Sequence, residues 1–414
     1  MRAIRKAPAP QEVLSSQRHL IPLYVASGVL TLGEGGVLVL LAPYLASRGL
    51  VEGAIGTVVS VYGIASLVTR LPAGLAYASR RATPLISGGC LISALAFMLL
   101  PVTSHPLLLG ALVALDGVGF AAATTGVMAG LMERRPPEAD AGTVMGWYSG
   151  SIGVGYAVSG FVAGSVGDAL GVPTAILLLA AVPAAAAFLL PAALRAARPL
   201  RAAAPETASL PGRLRALVHA PAAVWLAFLV TLYINLVSGV LFSFFPLHGL
   251  AIGLSLTQIG LLAGIHGALA ATVRFFSGVI FRWISYRGAL PVMVVASGVG
   301  MATLGSVRPF AVLVIAWAVI GFARGILRVA SGALVLDEAA AGDSQRGGAS
   351  AIYLAGLDLG KVLGPLIGGL GAEVAGLAST FIGLGVAFPA LFLGLASFLE
   401  RRRKSASGGA ESPA

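Results

Sequence analysis

Two short segments decide the fold: RLPAGLAYASRR at residues 70–81 and RFFSGVIFRWISYRG at residues 274–288. Each places an arginine and, four residues later, a glycine near the end of a long apolar block, and then adds further basic residues. The two arginines, Arg70 and Arg274, are 204 positions apart, and so are Gly74 and Gly278. This offset predicts that the chain consists of two halves of similar design.

The same offset relates further positions, mostly glycines, along both halves. Matching residues are Ile55 and Ile259, Gly56 and Gly260, Gly63 and Gly267, Gly160 and Gly364, Gly164 and Gly368, and Gly167 and Gly371. Because the chain contains 55 glycines, some of these matches arise by chance. The two copies of Arg-x-x-x-Gly therefore carry most of the weight of the repeat.

The composition places these segments in a membrane protein. Hydrophobic residues make up 57% of the 414 residues and charged residues only 10%, whereas soluble domains carry about 25% charged residues. The apolar blocks are long enough to cross about 30 Å of hydrocarbon as helices. Short alternating segments typical of a membrane β-barrel are not found. We predict twelve spans, at about residues 20–45, 53–77, 83–103, 106–132, 142–167, 172–194, 220–247, 256–282, 287–306, 309–336, 347–372 and 376–399.

The basic residues predict the orientation of these spans. One set of alternate loops holds nearly all the loop arginines and lysines, whereas the other set holds only Arg48 and Arg308. Positively charged loops remain in the cytoplasm, so we predict a multi-pass inner-membrane protein with both termini cytoplasmic. The apolar block that follows the basic N-terminus is too long for a cleavable signal peptide. The net charge of +11 therefore reflects orientation and contact with anionic lipid and does not indicate nucleic-acid binding.

The longest polar connection divides the spans six and six. We predict a cytoplasmic N-terminal segment at 1–19, a six-helix bundle at 20–194, a cytoplasmic central loop at 195–219, a second six-helix bundle at 220–399 and a basic, disordered cytoplasmic tail at 400–414. Because six is even, the two bundles share one orientation, which makes them a parallel repeat about an axis along the membrane normal. The predicted fold class is an all-α membrane protein with two pseudo-symmetric six-helix bundles.

This pattern resembles the major facilitator superfamily over nearly the whole chain. The resemblance rests on the six plus six spans, the basic central loop, the two copies of Arg-x-x-x-Gly and GPLIGG at residues 364–369 of the eleventh span. It implies that spans 1, 4, 7 and 10 line a central cavity and that spans 3, 6, 9 and 12 face lipid. It also implies a gating role, away from the solute, for Arg70, Gly74, Arg274 and Gly278.

The sequence departs from the family pattern at three places. The loop motif usually has an aspartate four residues after its glycine, where this chain has Ala78 and Arg282. The arginine often found in the fourth span is replaced by Val113. The Gly-Pro pattern associated with antiporters in the fifth span occurs here in the eleventh span instead. The motifs therefore leave the gating latch and the direction of transport open.

Charged residues inside the spans are the main functional signal. Each such charge at the centre of a bilayer costs about 2.5–3.5 kcal/mol, so these side chains must face the protein interior, a wet cavity or one another. They lie on spans 1, 4, 10 and 11, whereas spans 3, 6, 9 and 12 carry none. The six clear cases are Glu34, Asp116, Arg324, Arg328, Asp358 and Lys361.

Helical spacing groups these charges with other polar residues on single faces. Thr31 and Glu34 share a face of span 1, and Asn235 and Ser238 share a face of span 7. Span 10 places Trp317, Arg324 and Arg328 on one side. We therefore expect these residues to line the shared interior.

We predict two kinds of site from these faces. Carboxyl groups in a desolvated site take up protons more readily than in water, which makes Glu34, Asp116 and Asp358 the proton-coupling candidates. The solute-binding candidates are Arg324, Arg328, Trp317, Asn235, Ser238, Thr31 and Lys361. Structural alternatives remain open: Asp358 pairs with Lys361 or with Arg324, Arg328 reaches the lipid phosphates, Glu34 is purely structural, and Asp116 caps or pairs within the N-terminal half. Arg70 and Arg274 are expected to pair across the halves with helix C-termini or with loop acids, namely Glu133, Asp140, Asp337, Glu338 and Asp343.

The sequence offers no sign of an enzyme, a metal or a cofactor. The five histidines are scattered, Cys90 is the single cysteine, and no phosphate-binding Gly-x-x-x-x-Gly-Lys-Ser/Thr motif occurs. We therefore predict a monomeric secondary transporter, most simply a proton-coupled exporter of a small organic solute. One alternative is proton-coupled uptake of an anionic or zwitterionic solute, and another is a membrane receptor or scaffold without transport activity.

Overall fold

The computed structural model of the protein describes residues 18–135, 141–197, 221–283, 285–339 and 343–408. Nearly all of the predicted N-terminal segment, most of the central loop and the last part of the tail lie outside these ranges. Within them the chain is helical, and twelve helices are long and apolar enough to cross a membrane. The prediction of twelve spans is confirmed.

The spans keep the order expected from the sequence. They comprise Ile21–Ser47, Glu52–Ala76, Ala82–Leu99, Pro106–Arg134, Ala141–Leu170, the pair Val172–Leu179 and Ala181–Ala196, Ala222–Ala251, Leu256–Phe275, Tyr286–Ser306, Phe310–Ala339, Asp343–Ala375 and Leu377–Gly408. They are numbered 1 to 12 below. The terminal face denotes the side of the molecule from which span 1 starts and at which span 12 ends, and the opposite face is the other side.

Glycine makes the tight turns of the opposite face possible. Gly49, Gly171, Gly253 and Gly376 have φ values of +84°, +83°, +91° and +81°, a backbone conformation that glycine adopts without steric cost. They connect spans 1 and 2, 5 and 6, 7 and 8, and 11 and 12. Gly49 and Gly253 are 204 positions apart, so the repeat includes its turns.

Two boundaries differ from the sequence prediction. Span 8 ends at Phe275, before the predicted residue 282, and is followed by a separate short helix, Ser277–Ile280. Span 12 continues to Gly408, so the prediction of a disordered tail is wrong for residues 400–408. The first nine residues of that tail contain arginine and lysine, which are good helix formers, and they extend a helix that is already nucleated.

Equivalent contacts in the two halves confirm the repeat. The Tyr44 hydroxyl donates to the Leu100 carbonyl oxygen at 2.7 Å, which joins the ends of spans 1 and 3. His248 Nε2 lies 3.1 Å from the Leu304 carbonyl oxygen, which joins the ends of spans 7 and 9. Both residues of the second contact follow those of the first by 204 positions. His248 is therefore a packing residue.

The halves meet along two pairs of spans, 2 with 11 and 5 with 8. Glycine brings the backbones together, because a Cβ atom on Gly56 would overlap the Pro365 carbonyl oxygen and one on Gly260 would overlap that of Gly160. The Ser60 hydroxyl also donates to the Val362 carbonyl oxygen at 2.7 Å. These contacts require small residues on the facing helix surfaces.

A carboxylate cap joins the halves at the opposite face. Asp168, at the end of span 5, accepts hydrogen bonds from the backbone N–H groups of Leu256 at 3.0 Å and Thr257 at 2.7 Å. The Thr257 hydroxyl donates to the same carboxylate at 2.6 Å. A negative charge at a helix N-terminus is favourable because it satisfies free N–H groups and opposes the helix dipole.

The repeat places a second carboxylate at the equivalent junction. Glu373, at the end of span 11, lies against the first turn of span 2, where its carboxylate fills the space that a Cβ atom on Gly53 would occupy. Two acids therefore lie at the junction of the halves on this face, and one of them, Asp168, binds the helix N-terminus of the other half. An opening of this face would have to break both contacts.

We predict that Asp168→Asn shifts the protein towards a conformation that is open at the opposite face. The substitution removes the charge that opposes the helix dipole and leaves poorer acceptors, at a cost of about 0.5–2 kcal/mol to the closed arrangement. The measurement uses spin labels at Leu107 and Val374, both strongly exposed on this face, in a Cys90→Ala background. Double electron–electron resonance between the two labels reports the separation of the halves.

Gln258→Ala is the matched control for that measurement. It removes a cap from the same helix, since Gln258 accepts from the Ser255 N–H at 3.0 Å, but it makes no cross-half bond. Asp168→Asn should increase the population of molecules with a long distance between the two labels, whereas Gln258→Ala should not. Equal distance distributions for all three proteins would contradict a cross-half role for Asp168.

Candidate functional site

Two acids lie together in the interior of the N-terminal half. Glu34 of span 1 and Asp116 of span 4 are 6% and 5% exposed. The side chains of Asp116 and Tyr62 are both within interaction range of the Glu34 carboxyl group. One Asp116 carboxylate oxygen, Oδ1, is buried without a hydrogen-bond partner among the described residues. The structure thus brings together two of the three predicted proton-coupling acids.

Glycines on spans 1 and 4 make this arrangement possible. A Cβ atom on Gly117, beside Asp116, would overlap the Tyr62 carbonyl oxygen at 2.6 Å, so spans 4 and 2 touch at this level. Gly33 and Gly35, on either side of Glu34, contact Pro183 of span 6 and Ser159 of span 5 in the same way. The backbone of span 1 is therefore packed closely on one side while Glu34 reaches span 2.

An ion pair crosses between the halves next to these acids. Arg70 Nε of span 2 is 3.3 Å from Asp358 Oδ2 of span 11, and the Asp358 side chain is only 4% exposed. The two atoms are not aligned as a hydrogen bond. Lys361, one turn beyond Asp358, interacts electrostatically with Asp358 and Glu34. Opposite charges from both halves thus meet at one place.

This arrangement decides between the partners that the sequence left open. Asp358 binds Arg70, whereas no ion pair forms between Asp358 and Arg324 among the described side chains. Arg70 does not use the expected loop acid, because Glu133 stays within its own half and pairs with Arg134 at 3.0 Å. The remaining loop acids named by this expectation lie outside the described side chains.

Arg324 is held by a histidine. Its guanidinium NH1 is 3.2 Å from Nε2 of His266, a side chain that is 1% exposed. The rings of His266 and Trp317 meet edge to face, with centroids 5.7 Å apart. Trp317 is also 1% exposed and packs on Phe242 and Phe245. In this conformation Trp317 therefore supports His266 and does not border open space.

Arg328 and Arg274 lie near Arg324 at the junction of spans 8, 10 and 11. The Arg328 guanidinium carbon is 5.5 Å from the centre of the Tyr353 ring. Arg274 NH1 donates to the Ser149 carbonyl oxygen of span 5 at 3.2 Å, which is a contact between the halves. Each of these three arginines interacts electrostatically with at least one of the others. The structure thus places Arg274 beside Arg324 and Arg328, the two arginines that the sequence predicted as solute contacts.

Tyr156 of span 5 connects the acidic and the basic groups. It interacts electrostatically with Glu34 and Asp116 on one side and with Arg324 on the other. Tyr62 and Tyr156 were not identified from the sequence, because a tyrosine within an apolar helix carries no charge signal. Glycine clusters beside a charged residue are the only sequence feature that points to them.

The uncharged polar candidates bind helix backbones. The Thr31 hydroxyl donates to carbonyl oxygens of its own helix and to that of Ile152 in span 5 at 3.2 Å. Asn235 Nδ2 and the Ser238 hydroxyl donate to carbonyl oxygens one turn earlier in span 7. A small cleft adjoins Thr31 between spans 1, 4 and 5. A solute role for these residues stays a prediction.

A polar network at the terminal face replaces the missing loop aspartate. Glu133 accepts hydrogen bonds from the Tyr77 and Ser79 hydroxyls at 2.9 Å, and Ala78 lies between them in the loop. Burial and the bond to Glu133 raise the pKa of Tyr77. Arg134 joins Glu133 and donates to carbonyl oxygens at the end of span 6. This network lies within the first half.

The two glycines predicted to act in gating lie in different local structures. Gly74 faces Thr125 at ordinary van der Waals distance, and Gly278 belongs to the short helix after span 8. No group of three histidine, cysteine, aspartate or glutamate side chains that could hold a metal ion occurs in the described ranges.

Comparisons with known proteins agree with the fold and the repeat. A family model described as Major Facilitator Superfamily matches residues 23–341. No curated protein sequence matches the chain.

Several solved transporters share the architecture. A bacterial homologue of the human lysosomal transporter Spinster, in an inward-facing and occupied conformation, aligns with a TM-score of 0.74 and 14% identity over 95% of this chain and 98% of its own. A variant of the nucleoside transporter NupG aligns with a TM-score of 0.73 and 16% identity over 91% of this chain and 99% of its own. The human organic anion transporter MFSD10 aligns with a TM-score of 0.66 and 16% identity over 95% of this chain and 100% of its own. At these identities the likeness shows the fold alone.

We predict that Arg70 and Asp358 depend on each other for stability. Replacing only one member, as in Arg70→Gln or Asp358→Asn, leaves an uncompensated charge at the interface of the halves, which is more costly than losing both. A double-mutant cycle on the free energy of unfolding in detergent should therefore give a coupling of about 0.5–3 kcal/mol.

Arg81, which is exposed on a loop, supplies the control for this cycle. The pair Arg81→Gln and Asp358→Asn should show additive effects. Additive effects for Arg70→Gln and Asp358→Asn as well would mean that the ion pair contributes nothing to the joining of the halves.

Proposed function

The chain belongs to the major facilitator superfamily, and from that premise we propose that it is a proton-coupled transporter of a small organic solute. Family membership and the transporters of the same fold make it a secondary transporter and not an enzyme. The coupling ion, the direction and the solute are the proposed part. The observation that carries the proposal is the pair Glu34 and Asp116, buried side by side next to Lys361.

The acid pair suits proton coupling for an electrostatic reason. Two neighbouring carboxylates repel each other when both are charged, and such pairs commonly hold one proton between them. Lys361, from the other half, attracts Glu34 when Glu34 is ionised. Uptake of a proton by the acid pair would weaken this attraction, and release of the proton would restore it. The protonation state would thereby bias the contact between the halves.

We propose that the solute binds between this acid pair and the arginines of the C-terminal half. Arg324, Arg328 and Lys361 are the charged contacts in this proposal, with Asn235, Ser238 and Thr31 as polar wall residues. Trp317 would influence solute binding indirectly, because it supports His266, which contacts Arg324. Asp358 is assigned to the interface, because its ion pair with Arg70 competes with proton uptake.

Alternating access would proceed by rocking of the two bundles around this site. The carboxylate cap at Asp168 and the contact of Glu373 with span 2 would hold the opposite face closed, and Arg70 and Arg274 bind the other half nearer the terminal face. We propose the inner membrane with both termini cytoplasmic, supported by the basic residues that lie almost entirely on loops of the terminal face.

Export is the proposed direction, and the sign of the pH gradient that drives accumulation tests it. Proton-coupled uptake of an anionic solute is a second candidate, and the arginines of the C-terminal half favour it. The structural relatives include a nucleoside transporter and an organic anion transporter, so the fold accommodates both neutral and anionic solutes.

Glu34→Gln should separate solute movement from proton movement. The amide imitates the protonated acid and cannot release a proton, so solute accumulation driven by a pH gradient should be lost while solute exchange without a gradient continues. The measurement is solute flux in proteoliposomes that enclose a pH-sensitive dye, with a solute first identified by thermal stabilisation of the purified protein.

Glu52→Gln is the matched control, because Glu52 begins span 2 at the opposite face, away from the acid pair. Glu52→Gln should retain both solute accumulation driven by a pH gradient and solute exchange without a gradient. The sign of the pH gradient that drives accumulation distinguishes export from uptake. Full proton dependence in Glu34→Gln would show that Glu34 does not carry the coupled proton.

A further inference from the structure

The repeat pairs two arginines whose surroundings differ. Arg70 and Arg274 occupy equivalent positions, 204 residues apart, and both reach into the other half. Arg70 finds the carboxylate of Asp358 there. The position equivalent to Asp358 in the first half is Val154. Arg274 therefore lacks the counter-charge that its counterpart has.

The immediate surroundings of Arg274 contain other cations. Its Nε atom is buried without a hydrogen-bond partner among the described residues, and NH1 reaches only a backbone oxygen, that of Ser149. Its nearest charged neighbours are Arg324 and Arg328, and the uncharged phenols of Tyr156 and Tyr353 lie beside it. The two ion pairs found among the described side chains include none of these three arginines.

Close helix packing fixes the three guanidinium groups at one place. A Cβ atom on Gly325, next to Arg324, would lie 2.7 Å from the Cβ atom of Val273, next to Arg274. One turn earlier, Gly321 packs directly on the backbone of His266, which binds Arg324. Spans 8 and 10 thus touch at the level of the arginines.

The arginines are also accessible, and no carboxylate among the described side chains forms an ion pair with them. All three are partly exposed, as expected of side chains that border an internal aqueous space. Asp337 is the next acid along span 10, nine residues after Arg328, which is about 13 Å along a helix. Three neighbouring guanidinium groups without a carboxylate are a typical binding site for an anionic group.

We propose that Arg274, Arg324 and Arg328 form an anion-binding site and that the transported solute is an organic anion with a carboxylate or phosphate group. Arg274 is then a solute contact, in addition to any role in gating. The anionic group would connect the halves, because Arg274 and Tyr156 come from opposite sides of the interface. This inference deepens the proposed function. It depends on that function only for the claim that the bound anion is transported.

Thermal unfolding of the purified full chain in a low-salt buffer without carboxylate or phosphate anions tests the site without any flux. Benzoate and glycerophosphate represent the two anionic groups, and benzamide and glycerol are their neutral counterparts. We expect at least one of the two anions, and neither neutral compound, to raise the melting temperature in a saturable manner. Stabilisation by neither anion would overturn the proposal.

Matched variants locate the binding. Arg274→Gln and Arg324→Gln should each weaken the apparent affinity for the stabilising anion at least tenfold. Arg282→Gln makes the same change of charge at an exposed position and should leave it unchanged. Arg274→Lys keeps the charge and should retain part of the affinity, which also provides a folded variant should the glutamine variants fail to fold. Equal losses in Arg282→Gln and Arg274→Gln would overturn the assignment.

Inorganic phosphate and chloride distinguish a solute site from a site for a fixed counter-ion. Stabilisation by these ions alone, without an effect of benzoate or glycerophosphate, would overturn the organic-anion assignment. The binding result is independent of the flux result: intact anion binding with proton-independent flux contradicts the proposed coupling only, and proton-coupled flux without anion binding contradicts the present inference only.

Discussion

The low polarity of the membrane interior is the constraint on which the rest of this structure depends. An ionised side chain at the centre of the bilayer costs about 2.5–3.5 kcal/mol, so a chain that keeps several such groups must bring them together or give them water. Here Arg70 with Asp358, Glu34 with Asp116 and Lys361, and the three arginines of spans 8 and 10 all lie where the two halves meet. The interface between the halves is therefore also the proposed functional site.

The repeat separates the parts of the structure that hold the fold together from the parts that act on a solute. Contacts that occur in both halves, such as Tyr44 with Leu100 and His248 with Leu304, are structural. The charges break the symmetry: the first half supplies the acid pair, and the second half supplies most of the cations. A pseudo-symmetric frame with an asymmetric interior gives one site that faces two environments, as alternating access requires.

The sequence predicted the fold well because its signals are local. Apolar length, basic loops and the offset of 204 gave twelve spans in two parallel halves, and the six charged positions correctly indicated the interior. The partners of those charges could not be predicted, because helix rotation and register decide whether Asp358 meets Arg324, Lys361 or Arg70. The cap at Asp168 and the contact of Glu373 with span 2 were missed for a similar reason, since an acid at a helix end resembles an ordinary loop residue until the other half is present. Tyr62, Tyr156 and the support of Arg324 by His266 depend on packing between spans that no single helix pattern contains.

The central claim is that the charged groups share an aqueous space between the halves. Accessibility of single cysteines to a charged, water-soluble thiol reagent tests it most directly, in nanodiscs that expose both faces and in a Cys90→Ala background. Tyr353→Cys and Ser238→Cys, at the interface, should react, whereas Phe188→Cys, which is 73% exposed on the predicted lipid surface of span 6, should not. Reaction at Phe188→Cys together with complete protection of both interface positions would contradict the account.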